Sequence, residues 1–356
     1  MKKSRILFIC MIIAMAFILS ACAMGPRAVG TPGLAADDDM VYVSYQQFVY
    51  AVDTKSGTEV WRYPDKGNAQ TMFYAPPEVE GDALFVGNLA NNFLKLNKAN
   101  GTVIWTFSES KGWFIGQALA DGNVILAPNA DRSLYALNSN GLLLWKFDNE
   151  HAFWAQPIVD TEVVFMGSMD HKVYALNYET GELRWETELQ GAVVSAPVYD
   201  SENQMLYVGS IGKELVALSA IDGQIKWTYP KEGSIGSIWA TPLLNEGQVI
   251  FSDETGKIFS LDAENGNLIW TLEAGGEVMA GLMPIESGFL VLLESGTIRA
   301  FDYERNPLWS RNVDGELYSK PVNANGVIVV AAIKSDSLLF GFDQSGNQLW
   351  SYKPGK

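Results

Sequence analysis

The chain has 356 residues, with 25 Lys and Arg against 41 Asp and Glu, and its formal net charge is −16 at neutral pH. A chain this acidic is repelled by phosphate backbones, so we expect no nucleic-acid binding. It has only two cysteines and two histidines. That composition argues against a disulfide framework and against zinc centres built from these residues.

The first 21 residues have the features of an export signal. A basic start at Lys2, Lys3 and Arg5 precedes an apolar run over residues 6–19, which is too short for a convincing membrane span. The run closes on Leu-Ser-Ala-Cys at residues 19–22, which resembles the lipobox of bacterial lipoproteins. That resemblance implies cleavage before Cys22 and a lipid on its thiol. With this lipid on Cys22, residues 22–30 would form a lipidated tether. The alternative is ordinary cleavage near Ala21 or Ala23 with a coincidental cysteine.

A repeat occupies the rest of the chain. Eight tryptophans recur at intervals of 39 to 44 residues, and we expect each to be a structural docking residue between neighbouring units. They are Trp61, Trp105, Trp145, Trp185, Trp227, Trp270, Trp309 and Trp350.

The phrase before each tryptophan predicts a strand, a tight turn and a second strand. In the copy over residues 51–61, Asp53 can hydrogen-bond the turn backbone and Gly57 can adopt the positive φ that the turn needs. The seventh repeat has Arg305 and Asn306 in the glycine region, and we expect the asparagine to take the left-handed conformation there.

Two further strands precede each phrase, as at residues 196–199 and 205–209. Four short strands in about 40 residues, without a helical period, are typical of a propeller blade. The sequence therefore predicts an all-β fold, an eight-bladed β-propeller of four-stranded antiparallel blades that forms a single domain over residues 31–356. It does not decide whether an N-terminal strand completes the last blade.

The Ala-x-Asp-x-x-x-Gly-x-x-x-Trp phrase resembles the tryptophan-docking repeat of the pyrroloquinoline-quinone-like propeller superfamily. With the lipobox and eight blades, the chain is most similar in organisation to BamB-type outer-membrane assembly lipoproteins. The resemblance implies a non-catalytic scaffold that binds a protein partner of the barrel-assembly machinery. It also implies an outer-membrane location facing the periplasm in a two-membrane bacterium. In a single-membrane organism, the protein would instead lie on the outer face of the cytoplasmic membrane.

Two other branches of the superfamily are alternatives. Quinoprotein dehydrogenases carry a calcium-assisted quinone and, in many members, an adjacent cysteine pair, which this chain lacks. An extracytoplasmic ligand sensor or carbohydrate-binding propeller is the second alternative. We expect no cofactor in this protein.

Aromatic residues recur in the loops that lead into the first strand of each blade. Aligning the repeats on the strand-opening proline predicts a ring at one mouth of the central channel, formed by Tyr74, Trp113, Trp154, Trp239 and Tyr318. Exposed aromatic patches usually mark interfaces. The alternative is that these side chains simply plug the channel.

The sequence gives little support for a catalytic function. His151 and His171 have no clustered partner, and the acidic turns lack the dense ligand spacing of a calcium loop. We therefore predict no catalytic residues and no metal site.

Overall fold

The structure is a computed structural model that describes residues 30–355. The signal segment, Cys22 and nearly all of the tether lie outside the described residues. The described residues contain 32 strands in eight four-stranded sheets and no helix. The predicted all-β, eight-bladed propeller is therefore confirmed. Within residues 30–355, no helix long and apolar enough to cross a membrane is found.

The strands follow one another in chain order from the first blade to the eighth. Blades 1 and 2 comprise β1 (Gly33–Asp37), β2 (Met40–Tyr45), β3 (Phe48–Asp53), β4 (Glu59–Tyr63), β5 (Glu78–Glu80), β6 (Ala83–Gly87), β7 (Phe93–Asn97) and β8 (Val103–Phe107). Blades 3 and 4 comprise β9 (Leu119–Ala120), β10 (Val124–Pro128), β11 (Ser133–Asn138), β12 (Leu143–Asp148), β13 (Ile158–Asp160), β14 (Val163–Gly167), β15 (Lys172–Asn177) and β16 (Leu183–Glu188). Blades 5 and 6 comprise β17 (Val198–Asp200), β18 (Met205–Ser210), β19 (Glu214–Ser219), β20 (Ile225–Tyr229), β21 (Leu243–Asn245), β22 (Gln248–Ser252), β23 (Lys257–Asp262) and β24 (Leu268–Glu273). Blades 7 and 8 comprise β25 (Leu282–Ile285), β26 (Gly288–Leu292), β27 (Thr297–Phe301), β28 (Pro307–Asn312), β29 (Val322–Ala324), β30 (Val327–Ala331), β31 (Leu339–Phe342) and β32 (Gln348–Tyr352).

Each blade is built from four consecutive strands paired antiparallel in chain order. The first strands of neighbouring blades contact one another around the centre, as β1 does with β5 and β29. The second and third strands are buried along most of their length, whereas the fourth strand alternates or is largely exposed. A long loop then leads from that outer strand to the inner strand of the next blade. We call these seven connections the approach loops.

The hydrophobic core consists of eight apolar clusters, one between each pair of neighbouring blades. The cluster between blades 1 and 2, for example, packs Tyr42, Ala51 and Trp61 against Leu84 and Leu96. Each blade therefore buries both of its faces against its neighbours, which explains how so many short strands form one stable ring.

The repeated tryptophans lie at these joints. The indole N–H donates to a backbone carbonyl of the next blade at seven of them, and the seven acceptors lie just after β3, β7 and their counterparts. The pairs are Trp61–Lys98, Trp105–Ser139, Trp145–Tyr178, Trp185–Ala220, Trp227–Ala263, Trp309–Gln344 and Trp350–Thr54.

In seven of the eight blades, the turn glycine lies against the tryptophan of the blade before it. At Gly101, φ is +70° and a Cβ would lie 2.5 Å from the Trp61 ring, so a side chain there meets both strain and a clash. In the seventh repeat, the positive φ of 76° falls on Arg305, not on Asn306, so the expectation for the asparagine is wrong. The Arg305 guanidinium carbon lies 5.9 Å from the centroid of the Trp270 ring, and the indole is buried.

The ring is closed by side-by-side packing of the first and last blades. Residues of β2 and β3 form one cluster with residues of β30 to β32. Trp350 Nε1 donates to the Thr54 carbonyl, and the Arg62 guanidinium donates to the Gly355 carbonyl at 3.1 Å. No N-terminal strand among the described residues joins the last blade, which answers the question that the sequence left open.

Candidate functional site: the aromatic mouth of the central channel

The approach loops are held by a buried residue directly before each mouth position. These anchors are Phe73, Phe114, Phe153, Val193, Ile238, Val278 and Leu317. Their backbone also fixes the loops: Val193 N–H donates to the Ser168 carbonyl at 2.9 Å, and Leu317 N–H donates to the Glu294 carbonyl at 3.1 Å. With each anchor buried in the wall, the next side chain along the chain is placed at the channel.

A cavity of about 570 Å³ opens at this mouth, and all eight blades contribute to its lining. Four of the five predicted site residues border it, namely Tyr74, Trp154, Trp239 and Tyr318. Trp154 is 41% exposed. The four aromatic residues thus line one open space.

Trp113 does not line this cavity, although it is 54% exposed. The corresponding position of its approach loop is occupied by Ile115, and Trp113 lies two residues earlier. Its carbonyl accepts a hydrogen bond from Ala130 N–H at 2.9 Å, which ties it to the neighbouring hairpin. The structure therefore brings four of the predicted residues together and leaves the fifth beside them on the surface.

Two of the mouth aromatics are fastened by carboxylates. Trp239 Nε1 donates to Glu254 Oε2 at 3.2 Å, and this bond lowers the pKa of Glu254. The Tyr318 hydroxyl donates to Glu294, a contact that raises the pKa of the tyrosine and lowers the pKa of the carboxyl. Each ring is thus held by its polar end, while its apolar face is left to the cavity.

Polar residues line the same cavity beside the aromatics. Gln117 Nε2 donates to Glu78 Oε2 at 3.0 Å, and Gln156 Nε2 approaches the same oxygen at 3.4 Å. Burial raises the pKa of Glu78 to about 7. We call this polar part of the lining, including Lys320 and Ser195, the throat.

Lys320 lines the throat from the approach loop of the eighth blade. Its side chain is exposed to the channel, yet protein surrounds it on most sides, and this burial lowers its pKa. A side chain inside a channel can be accessible to solvent and still be surrounded by protein, so the exposure of Lys320 and its lowered pKa are consistent. Among the described residues, no carboxylate forms an ion pair with it.

The remaining polar residues singled out in the sequence lie away from this cavity. His151 and His171 are exposed and do not line it. Asp253, in one of the acidic turns, accepts from Gly236 N–H at 2.8 Å and Thr255 N–H at 3.0 Å, so its carboxylate organises the turn itself. Within residues 30–355, no three His, Cys, Asp or Glu side chains are grouped so that they could hold a metal ion.

One protein family matches the chain along most of its length. Residues 20–146, 130–277, 200–304 and 278–356 match the family model described as "Outer membrane protein assembly factor BamB". These matches overlap and together cover most of the chain. The chain belongs to the BamB family.

Individual relatives match over part of their own length. BamB of Nitrosomonas eutropha is 34% identical over 115 residues, which are 32% of this chain and 27% of the relative. Tetrathionate hydrolase of Acidithiobacillus ferrooxidans is 25% identical over 303 residues, which are 81% of this chain and 54% of that enzyme. The chain therefore spans about a quarter and about half, respectively, of these two proteins.

Solved structures share the fold. BamB from Moraxella catarrhalis superposes with a TM-score of 0.69 at 17% identity, covering 90% of this chain and 92% of that one. The computationally designed Ika8 protein gives 0.73 at 13% identity, covering 90% and 95%. At such identities, the likeness concerns the propeller alone.

Sequence reasoning missed the throat of this BamB-family protein. Glu78 stands where the register of other blades has Leu119, Ile158 or Val198, and Lys320 precedes a strand-opening proline where another blade has Ala196. When the eight repeats are aligned on their strand pairing, each of these two positions holds a charged residue in one blade and uncharged residues in the others. That difference was the feature of the sequence that could have identified them.

Proposed function

We propose that this protein is a non-catalytic, lipid-anchored scaffold of the outer-membrane barrel-assembly machinery, held at the membrane through Cys22 and facing the periplasm. Membership of the BamB family supports this role, and the lipobox-like sequence at residues 19–22 supports the anchor.

The observation that carries the binding role is the mouth. Aromatic residues from four blades surround one open cavity, and Trp113 adds a further exposed indole on the same loops. Tryptophan and tyrosine dominate the energetics of protein interfaces because they bury large areas with few rotatable bonds. We take this mouth as the principal recognition face for a protein partner.

The net charge of the molecule indicates which kind of partner surface suits this face. The chain carries a formal net charge of −16, and the mouth has Glu254 and Glu294 behind its aromatics. Complementary potentials favour encounter, whereas like charges are repelled. A neutral or basic partner surface suits this face.

The test is to change Trp154 and Trp239 together to alanine and to measure co-purification of the barrel-assembly proteins beside a thermal melt. Both side chains border open space, so we expect partner capture to fall about tenfold or more with little change in melting temperature. The matched control changes Leu142 and Ile221 together to alanine, which removes two exposed apolar side chains that do not line the cavity. Undiminished capture by a double variant with a lower melting temperature would show that the rings are packing elements of the channel.

A second candidate function rests on the tetrathionate hydrolase match, because it covers 81% of this chain. On this alternative, the channel would be a hydrolytic site for a sulfur oxyanion. The same purified preparations can be assayed for tetrathionate hydrolysis. Turnover that disappears in the Trp154 and Trp239 double variant would favour the enzyme over the scaffold.

A further inference from the structure

Lys320 is fixed in the throat by its neighbours on both sides. Leu317 is buried, and its N–H bonds to the wall of the same channel. The Ser319 hydroxyl donates to the Pro32 carbonyl, which ties the loop to the start of the first blade. Pro321 then leads into β29. The backbone on both sides of Lys320 is therefore constrained, and the residue lines the cavity.

Only two of the described residues that line the cavity carry a formal charge, Glu78 and Lys320. Glu78 is bound by the amides of Gln117 and Gln156, and burial raises its pKa to about 7. Among the described residues, no carboxylate lies within ion-pairing distance of Lys320. The throat therefore holds a lysine without a direct ion-pair partner.

The carboxylates near the mouth aromatics do not supply that partner. Glu294 and Glu254 accept from mouth aromatics, and Glu316 is paired with Lys334 at 2.8 Å. None of the three lines the cavity. An unpaired cation in a partly desolvated site costs free energy, which an anionic ligand would recover.

A second polar group in the cavity wall lacks a partner. Ser195, in the approach loop of the fifth blade, lines the same cavity and is 8% exposed. Its hydroxyl is buried and has no hydrogen-bond partner among the described residues. The equivalent hydroxyl of Ser319 is satisfied by Pro32. Unsatisfied buried hydroxyls are uncommon in folded proteins, and this oxygen is almost completely shielded from solvent, so we assign it no contact with a ligand in the cavity.

We propose that the channel binds a small organic anion, a carboxylate or sulfonate joined to a flat apolar group. The anion pairs with Lys320, and the flat group packs among Tyr74, Trp154, Trp239 and Tyr318. A cavity of about 570 Å³ is in the usual range for small-molecule sites. This ligand goes beyond the protein partner of the proposed function and does not depend on it.

The probe is 2-naphthoate, titrated by calorimetry into the full-length lipidated protein with a detergent blank. We expect one site per chain, and we expect Lys320→Met to weaken binding at least tenfold because the charge pair is lost. Neutral 2-naphthamide should bind wild type and variant within a factor of two, since it uses only the aromatic walls. Titration with 2-naphthalenesulfonate shows which of the two anions is preferred.

Lys353→Met is the matched control, because Lys353 pairs with Asp336 at 3.3 Å on the outer surface. This change should leave the affinity for 2-naphthoate unchanged. A thermal melt of each variant establishes that it is folded. Failure of 2-naphthoate to bind, or equal affinity in wild type and Lys320→Met, would overturn the proposal. Partner co-purification by the wild-type protein is measured separately and without naphthoate, so failure of the anion site and failure of the scaffold role are distinguishable.

Discussion

At the scale of single residues, Glu78 makes the stability of the propeller depend on pH. Its carboxyl has an ordinary pKa of 4.5, which burial in the throat raises to about 7. Between these values the unfolded chain releases a proton that the folded protein keeps. The free energy of unfolding therefore falls as the pH rises through this window.

Glu78→Gln removes this dependence while retaining an oxygen that can accept from Gln117. Relative to the variant, wild type should lose roughly 2–3 kcal/mol of stability between pH 4.5 and pH 8. Urea unfolding curves at several pH values measure the difference. Glu202→Gln, at an exposed position, serves as the control. A difference between wild type and Glu78→Gln that is constant with pH would contradict the burial of this carboxyl.

At the scale of the element, the joint between two blades is the unit of stability. Trp227 is 7% exposed, donates to the Ala263 carbonyl at 3.1 Å and covers Gly266 of the next blade. Trp227→Ala leaves a cavity in that joint, and we expect a loss of about 3–5 kcal/mol in the free energy of unfolding. Trp113→Ala, the same change at an exposed indole, should cost less than about 0.5 kcal/mol. A loss for Trp227→Ala as small as that for Trp113→Ala would mean that the joint has little role in stability.

The blades could be predicted from sequence because one physical requirement is repeated eight times. Asp53, Gly57 and Trp61 recur together because a turn, a positive φ and a filled joint are needed in every blade. Arg305 shows the limit of that reasoning: it takes the left-handed conformation because its position in the turn fixes φ, whatever the propensity of its neighbour Asn306.

The mouth could be predicted in part for a similar reason. Trp154 and Trp239 keep a fixed distance from a strand-opening proline, so their placement follows from the repeat. Trp113 follows no such register, and its loop carries it outside the cavity. Glu78 and Lys320 were missed because each is a single deviation within a repeat. What a deviation contacts across the channel depends on tertiary structure, which the pattern of the repeat does not contain.

At the scale of the whole molecule, closure of the ring gives the mouth a fixed shape. The eighth blade packs directly on the first, and both Lys320 and Pro32 lie at that junction. Each wall of the channel is therefore supported from both sides, and the aromatics of distant blades keep their spacing without a ligand. Such preorganisation reduces the entropy that a partner or ligand must overcome on binding.

A lipid on Cys22 is the proposed attachment of this protein to the membrane. Cys22 stands three residues after the apolar run over residues 6–19, and the second cysteine, Cys10, lies within the part that cleavage would remove. Cys22→Ser should abolish acylation and move the protein from the membrane fraction to the soluble fraction, because the acyl chains supply the attachment. Metabolic labelling with a tagged fatty acid, followed by fractionation, measures both effects. Ala23→Ser is the control, since it changes the neighbouring residue and keeps the thiol. Label that persists on the Cys22→Ser protein would show that the lipid, if any, is carried elsewhere, and the membrane-anchored scaffold would then lose its stated point of attachment.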